Sequence, residues 1–468
     1  LGDVYKRQFY CKQIIVNAKK DLIMQYTFSN RLKMASLIML VVGVVLYAIG
    51  FFIFKGHMNN SEAYITELMH ANPSHFYGDY ISDQFLELNP DHQSHMEHLQ
   101  NLLSNRPWAA FYVPAYYAFG IAATALFFLC VQFVGQAGWS MVVTRVMEGI
   151  ASYLPIGSLI LGIFVILSAM QMNHLFHWMV PELIDPNDPQ YDIYIANKAK
   201  LWLNVPFWTI RCLIYLAVLS LFVYIIKGAT RKLDEYKGDI TYYNKLYTKA
   251  VLGIVCFALF SAAYAWDFVM SLDPHWYSSL FMWYGMVSHL VASVSVMAII
   301  SIYLKKKGAL RLFNDNHQHD LAKFMFGFSL LWSYLWFCQF MLQWYSNVPE
   351  EVQYFQQRMA QYPLYFWMLL ANLVLPFVIM VSSSIKRRSQ VVFVVAILIV
   401  VGHYWDFYNQ IMPAAVGPFH NFGFMEIGAL VGFTGLFIFI VMNAISKLNL
   451  EATGHPYFHE SKIYEYPF

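Results

Sequence analysis

Apolar residues come along this chain in blocks of about twenty, and polar and charged positions gather between the blocks. A helix rising 1.5 Å per residue crosses a hydrocarbon core of roughly 30 Å in about twenty residues. Ten blocks meet that length, at 34–54, 108–134, 151–171, 203–226, 249–272, 278–303, 322–345, 363–383, 390–412 and 422–445. The pattern predicts an all-α integral membrane protein with ten transmembrane helices. Composition agrees: of 468 residues, 59% are hydrophobic and 18% aromatic, and only 12% are charged, against roughly 25% charged in soluble domains. The net charge of +2 sits in loops and gives no reason to expect nucleic acid.

Charge then orients the spans. All but six of the 30 Lys and Arg residues fall on one side of the ten-span arrangement. Lys55, Arg106, Lys198, Lys200 and Arg358 lie on the other, and Arg211 is inside the fourth span. Basic residues concentrate on the cytoplasmic side of membrane proteins, so both termini are expected in the cytoplasm. The opposite side carries two acidic segments, 55–107 and 172–202. Within the first, HQSHMEHLQNLL reads as a short amphipathic helix; His92, His95 and His98 stand three apart, but on a polar loop this is weak evidence for a metal. Cys11, Cys130, Cys212, Cys256 and Cys338 form no CxxC pair, so a cluster or haem held by this chain is not expected. Leu1–Ile23 has no initiator Met and no cleavable signal pattern; it reads as disordered upstream read-through, leaving 24–468 as a single membrane domain.

YAWDF (Tyr264–Phe268) ends the fifth span, and HYWDF (His403–Phe407) lies near the end of the ninth. HLFHWMVPE (His174–Glu182) is echoed by MLQWYSNVPEE (Met341–Glu351), and PFW (Pro206–Trp208) by PLYFW (Pro363–Trp367). The matched order predicts two similarly folded four-helix bundles, spans 2–5 (108–272) and spans 6–9 (278–412), flanked by spans 1 and 10.

Each repeat places a carboxylate in an apolar span. From the predicted span ends, Asp267 lies about 7 Å and Asp406 about 9 Å inside the outer boundary, with Arg211 roughly 12 Å deep. An ionisable group in a membrane faces a bundle interior or a water-filled cavity. Arg211 is the expected partner of Asp267. The second repeat has Leu370 where Arg211 would align, so Asp406 is expected to use His403, three residues earlier on the same face, or His289 in span 6. A carboxylate near histidine in an aromatic pocket suits proton transfer to or from a quinol headgroup; the competing reading makes these groups fasteners between helices. Trp276, Tyr277 and Trp344 read as interfacial aromatic belt.

MSLDPHWYSSLFMWYG (Met270–Gly285), LWFCQFMLQWYSNVPEEVQYF (Leu335–Phe355), QMNHLFHW (Gln171–Trp178), NRPWAAFYVP (Asn105–Pro114) and HPYFHES (His455–Ser461) stand in order along the chain. Here the sequence resembles alternative complex III, a bacterial respiratory quinol:electron-acceptor oxidoreductase, at its second large polysulfide-reductase-type (NrfD-like) membrane subunit. The resemblance implies a ten-helix subunit without its own redox cofactor, with quinol or quinone at or near it. It would sit beside a homologous quinol-oxidising membrane subunit, with iron–sulfur and cytochrome c subunits on the periplasmic side. Asp406, His403, His289, Asp267 and Arg211 are then the candidate proton-transfer and quinol-site residues. A proton-conducting role and a purely structural one are both open.

Two other classes fit the sequence less well. HWMVPE faintly resembles a metal-ligand motif of haem-copper oxidases, but that family's set of deep histidines is missing. A secondary transporter with parallel repeats would break its helices at the midplane, whereas the prolines here gather near span ends, Pro155 and Pro376 excepted.

Overall fold

The computed structural model describes residues 26–71, 76, 92–189, 191–236, 239–362, 365–420 and 422–465. The read-through assigned to Leu1–Ile23, the side chains of His92 and His95, and Pro363 lie outside them. Among the described residues there is no strand, and nine helices are long and apolar enough to cross a membrane. These are α1 (Asn30–Met58), α2 (Arg106–Val134), α3 (Thr144–Ala169), α4 (Val205–Glu235), α5 (Ile240–Phe268), α6 (Phe281–Lys306), α7 (Asp315–Ser346), α9 (Ser389–Val416) and α10 (Phe424–Ile445). The eighth expected span is the shorter apolar helix α8 (Trp367–Met380). It contains a π turn at Leu370–Val374 immediately before Pro376, whose ring nitrogen cannot donate to the carbonyl four residues back. The protein is an all-α, multi-pass integral membrane protein. Ile38, Val41, Val45 and Phe52 of α1 and Val394 and Val401 of α9 are among the apolar side chains it exposes.

Helices α2, α3, α4 and α5 pack as a closed ring in which each touches the next, and α6, α7, α8 and α9 form a second. The rings meet where α2 packs on α6 and α9, and α5 on α6. Helix α1 leans on α10 through Ser36, Gly43 and Gly50, spaced by sevens so that they fall on one stripe. Backbone meets backbone there. A Cβ on Gly43 would run into the Gly432 backbone, and one on Gly428 into the amide of Tyr47. Small residues permit such approach where lipid supplies no hydrophobic drive between helices.

At the end where α1 begins, the C-terminal tail ties the two rings together. Gly454 N donates to Asp234 Oδ1, 3.1 Å. Ser461 Oγ donates to Trp139 O and accepts from Val142 N, while Tyr464 OH donates to Asp320 Oδ2 of α7. Arg145, expected as a loop charge, is instead buried with Glu148 and Asp234 beneath this tail; a charge taken out of water needs such partners.

His455 stacks on Phe133 and meets Tyr243 edge to face, with Nε2 buried and unpartnered. Burial, and then the nearby Arg145 guanidinium, pulls its pKa from 6.5 to about 4. The released tail binds that proton more readily than the docked one, so docking is favoured above 6.5 and weakens as pH falls towards 4. Hydrogen-exchange protection of residues 448–465 is expected to drop over that window. In His455→Phe the drop should be smaller; an unchanged profile would show that another group, such as His317 at 3.0 Å from Ser461 O, controls the tail.

Candidate functional site

Each ring buries the aspartate of its WDF motif completely, but the two sites are wired differently. Asp267 stands one residue from the end of α5, so the helix stops sooner than the predicted boundary at 272. The stop is built by side chains: Asp267 O accepts from Trp208 Nε1 (3.1 Å) and Ser271 Oγ (2.6 Å), and Phe268 O from Tyr112 OH (2.7 Å). The carboxylate is fully buried. Arg211, near the start of α4, grips it through Nε to Oδ2 at 2.7 Å and a second guanidinium nitrogen to Oδ1 at 2.6 Å. Trp202 Nε1 adds a bond to Oδ1 at 3.0 Å, and its ring lies 3.9 Å from the guanidinium carbon. Bidentate pairing with stacking on an aromatic face is the geometry that suits arginine and not lysine. The expected Arg211–Asp267 pair is present, with every carboxylate oxygen occupied.

Asp406 is deeper. α9 runs on to Val416, ten residues beyond it, which places Asp406 roughly 15 Å from the helix end rather than 9 Å. Its side chain is also fully buried, yet the donors that reach it are neutral. Tyr284 OH donates to Oδ1. Ser288 Oγ donates to Oδ2 at 2.6 Å, and so does Trp332 Nε1 at 3.0 Å. His403 does not sit directly on the carboxylate: Nδ1 is 4.0 Å from Oδ2 but 2.8 Å from Ser288 Oγ. Since that serine donates to Asp406, its oxygen is left to accept from His403 Nδ1–H. The result is a chain of hydrogen bonds, His403 to Ser288 to Asp406, with the far nitrogen of His403 buried and unpartnered. Trp332 closes the group, its ring 5.2 Å from that of His403.

His289, the other expected partner, is elsewhere. Its Nδ1 faces Gly285 O at 3.2 Å and its ring stacks on Phe407 at 3.9 Å. It points to α2, where a Cβ on Gly120 would collide with the imidazole. Its Nε2 and the hydroxyl of Tyr264 are both buried without partners. Both residues line a cavity of about 20 Å³ between the rings, room for about one water. His289 therefore belongs to the seam between the bundles, because successive residues of α6 point about 100° apart and Ser288 takes the face towards Asp406.

Several participants stand at positions the sequence marks only weakly. Tyr284 and Ser288, four apart on α6, share one helix face, and that spacing is the signal the sequence offers. Trp332 gave none. Asn372, in the π turn of α8, is buried with both amide atoms unpartnered and would meet any Cβ placed on Gly402; π turns recur at functional sites. Arg358, expected as a free outer charge, is buried, with Nε donating to Asn409 O at 3.1 Å and its guanidinium 3.3 Å from the Tyr354 ring. Pro413 explains this, since it has no N–H for the carbonyl of Asn409 four residues back, and arginine supplies the donor. Trp276 is likewise no belt residue: it is buried, stacked 4.0 Å from Tyr354 of the helix Pro349–Gln361. Tyr277 and Trp344 are exposed, as belt residues would be.

Over the Arg211–Asp267 pair lies a cavity of about 360 Å³ lined by Trp202, Trp266, Trp276, Tyr277, Lys198 and Asp273. Burial draws the Lys198 ammonium below the usual lysine range, against the opposing pull of Asp273 and Asp192. Among the described residues, no group of three or more His, Cys, Asp or Glu side chains could hold a metal ion. No family model matches the chain, and no curated protein matches it.

Proposed function

We propose that this chain is a membrane subunit of a respiratory quinol:electron-acceptor oxidoreductase of the alternative complex III type, and that its second bundle handles protons through Asp406. The observation that carries the reading is the contrast between the two buried aspartates. Asp267 is clamped by a cation and cannot gain a proton without stranding Arg211. Asp406 has neutral donors and a histidine one hydroxyl away, so a proton can enter or leave without leaving an opposite charge unpaired. Such a carboxyl, linked through a hydroxyl to an imidazole, fits acid–base work in an apolar bundle. The resemblance of the long motifs supplies the complex, with its homologous quinol-oxidising subunit and its iron–sulfur and cytochrome c partners. The aromatic cavity beside Trp202 suits a planar quinol ring. Charge asymmetry of the loops supports cytoplasmic termini in a bacterial inner membrane.

Asp406→Asn keeps the shape but removes the titratable proton. In the assembled complex it is expected to lower quinol-linked turnover or proton release by roughly 10²-fold, the typical contribution of a positioned acid or base, while assembly is retained. Normal turnover with an unshifted pH profile in a fully assembled Asp406→Asn complex would make Asp406 a structural fastener and overturn the proposal.

A further inference from the structure

A third cavity, larger than the two above, has no part in either aspartate site. Between α10 on one side and α2, α6 and α9 on the other runs a cleft of about 560 Å³. It extends along α9 from Phe393 to Tyr404, eleven residues or roughly 16 Å, about half of a ~30 Å hydrocarbon core and hence the depth of one leaflet. Its mouth is formed by Ile397 and Val401, both exposed apolar side chains on the bilayer-facing surface. Three of the hydroxyls along the wall are already engaged: Tyr117 OH donates to Val400 O at 2.6 Å, Thr434 Oγ1 to Leu430 O at 2.7 Å, and Tyr303 OH pairs with Tyr26 OH at 3.3 Å. A wall of this kind offers a ligand dispersion contact and little else. Interiors pack too densely to leave such a volume empty, and water would find few partners in it.

The end of the cleft where α1 begins is different. Leu32 lines it between exposed Arg31 and Lys33, and Tyr303 lines it one turn before exposed Lys306. Exposed Arg388 precedes Phe393 on α9, and exposed Lys447 follows Met442 of α10. An apolar slot one leaflet deep thus ends at a basic rim. Basic pockets between transmembrane helices at a membrane surface hold anionic headgroups.

We propose that the cleft is a binding site for one anionic phospholipid, with an acyl chain lying between α9 and α10 and the phosphate among Arg31, Lys33 and Arg388. The lipid completes the packing between the α1–α10 pair and the second ring. This site is independent of the role assigned to Asp406.

The test uses the full chain purified from its membrane in mild detergent, with bound lipid counted by native mass spectrometry during delipidation. One phosphatidylglycerol-type lipid per chain is expected to outlast the rest. Thr434→Trp, which fills the cleft from an exposed position, should lose it while the helical circular dichroism spectrum is unchanged. The triple variant Arg31→Gln, Lys33→Gln, Arg388→Gln leaves the core untouched. Added phosphatidylglycerol should bind it more weakly by about fivefold per charge removed, with phosphatidylcholine binding unaltered. Retention of the same lipid by both variants would overturn the proposal. So would a quinone, or a zwitterionic lipid indifferent to the rim charges, as the molecule held.

Discussion

Replacing Arg211 by Leu is expected to abolish most of the folded protein. The substitution removes the two charge-assisted bonds to Asp267, at 2.7 and 2.6 Å, and leaves a fully buried carboxylate with only neutral donors, such as Trp202 Nε1, among the described residues. Breaking a buried pair from one side costs about 3–5 kcal/mol, a large part of the 5–15 kcal/mol that holds a typical domain together. The damage should spread, because Asp267 O also anchors Trp208 and Ser271 at the stop of α5. The decisive comparison is with Arg211→Leu combined with Asp267→Asn. Once no charge is stranded, folded yield and melting temperature should recover at least half of the loss. Equal instability of single and double variants would mean that the arginine acts through packing on Trp202 and Phe207, not through charge.

The second large effect concerns the pair that carries no chemistry. Gly43→Leu is expected to separate α1 from α10. The added Cβ alone would overlap backbone atoms of Gly432, which have no rotamer to relieve the clash. Overpacking ordinarily costs about 1–3 kcal/mol, and a backbone-to-backbone contact belongs at or above the top of that range. Gly56→Leu is the matched control, on the same helix with nothing within 4 Å of its Cβ position. A lower melting temperature for Gly43→Leu alone is the expected result; equal values for both would show that α1 is not held through this crossing.

The bounds of the helices differ from the predicted spans mainly where polar residues continue a helix beyond the apolar core. α5 begins at Ile240 rather than 249, and α7 at Asp315 rather than 322. Hydropathy marks the part of a helix that lies in hydrocarbon, while the helix itself ends where caps end it. Asp239 and Asn314 accept backbone N–H groups at those starts.

The sequence by itself determined that this chain crosses a membrane many times as helices, because no other structure of one segment satisfies its backbone within lipid. It also marked the two carboxylates, since a charged group in an apolar run stands out whatever the fold, and it paired Asp267 with Arg211 because those are the charges of the first bundle's spans. Only the tertiary structure decided what Asp406 touches. Its donors, Tyr284, Ser288 and Trp332, come from α6 and α7, and they are aromatic and hydroxyl residues of kinds that recur throughout the chain. A helix apolar on nearly every side does not announce which face turns inward. The same limit put His289 beside Asp406 in the sequence reading and on the seam between bundles in the molecule. Arg358 and Trp276 likewise leave the surface only in the tertiary structure, where the helix Pro349–Gln361 brings Arg358 onto α9 and Tyr354 onto Trp276. Local pattern fixes what must leave water; the packing of distant helices decides what each group meets once it has.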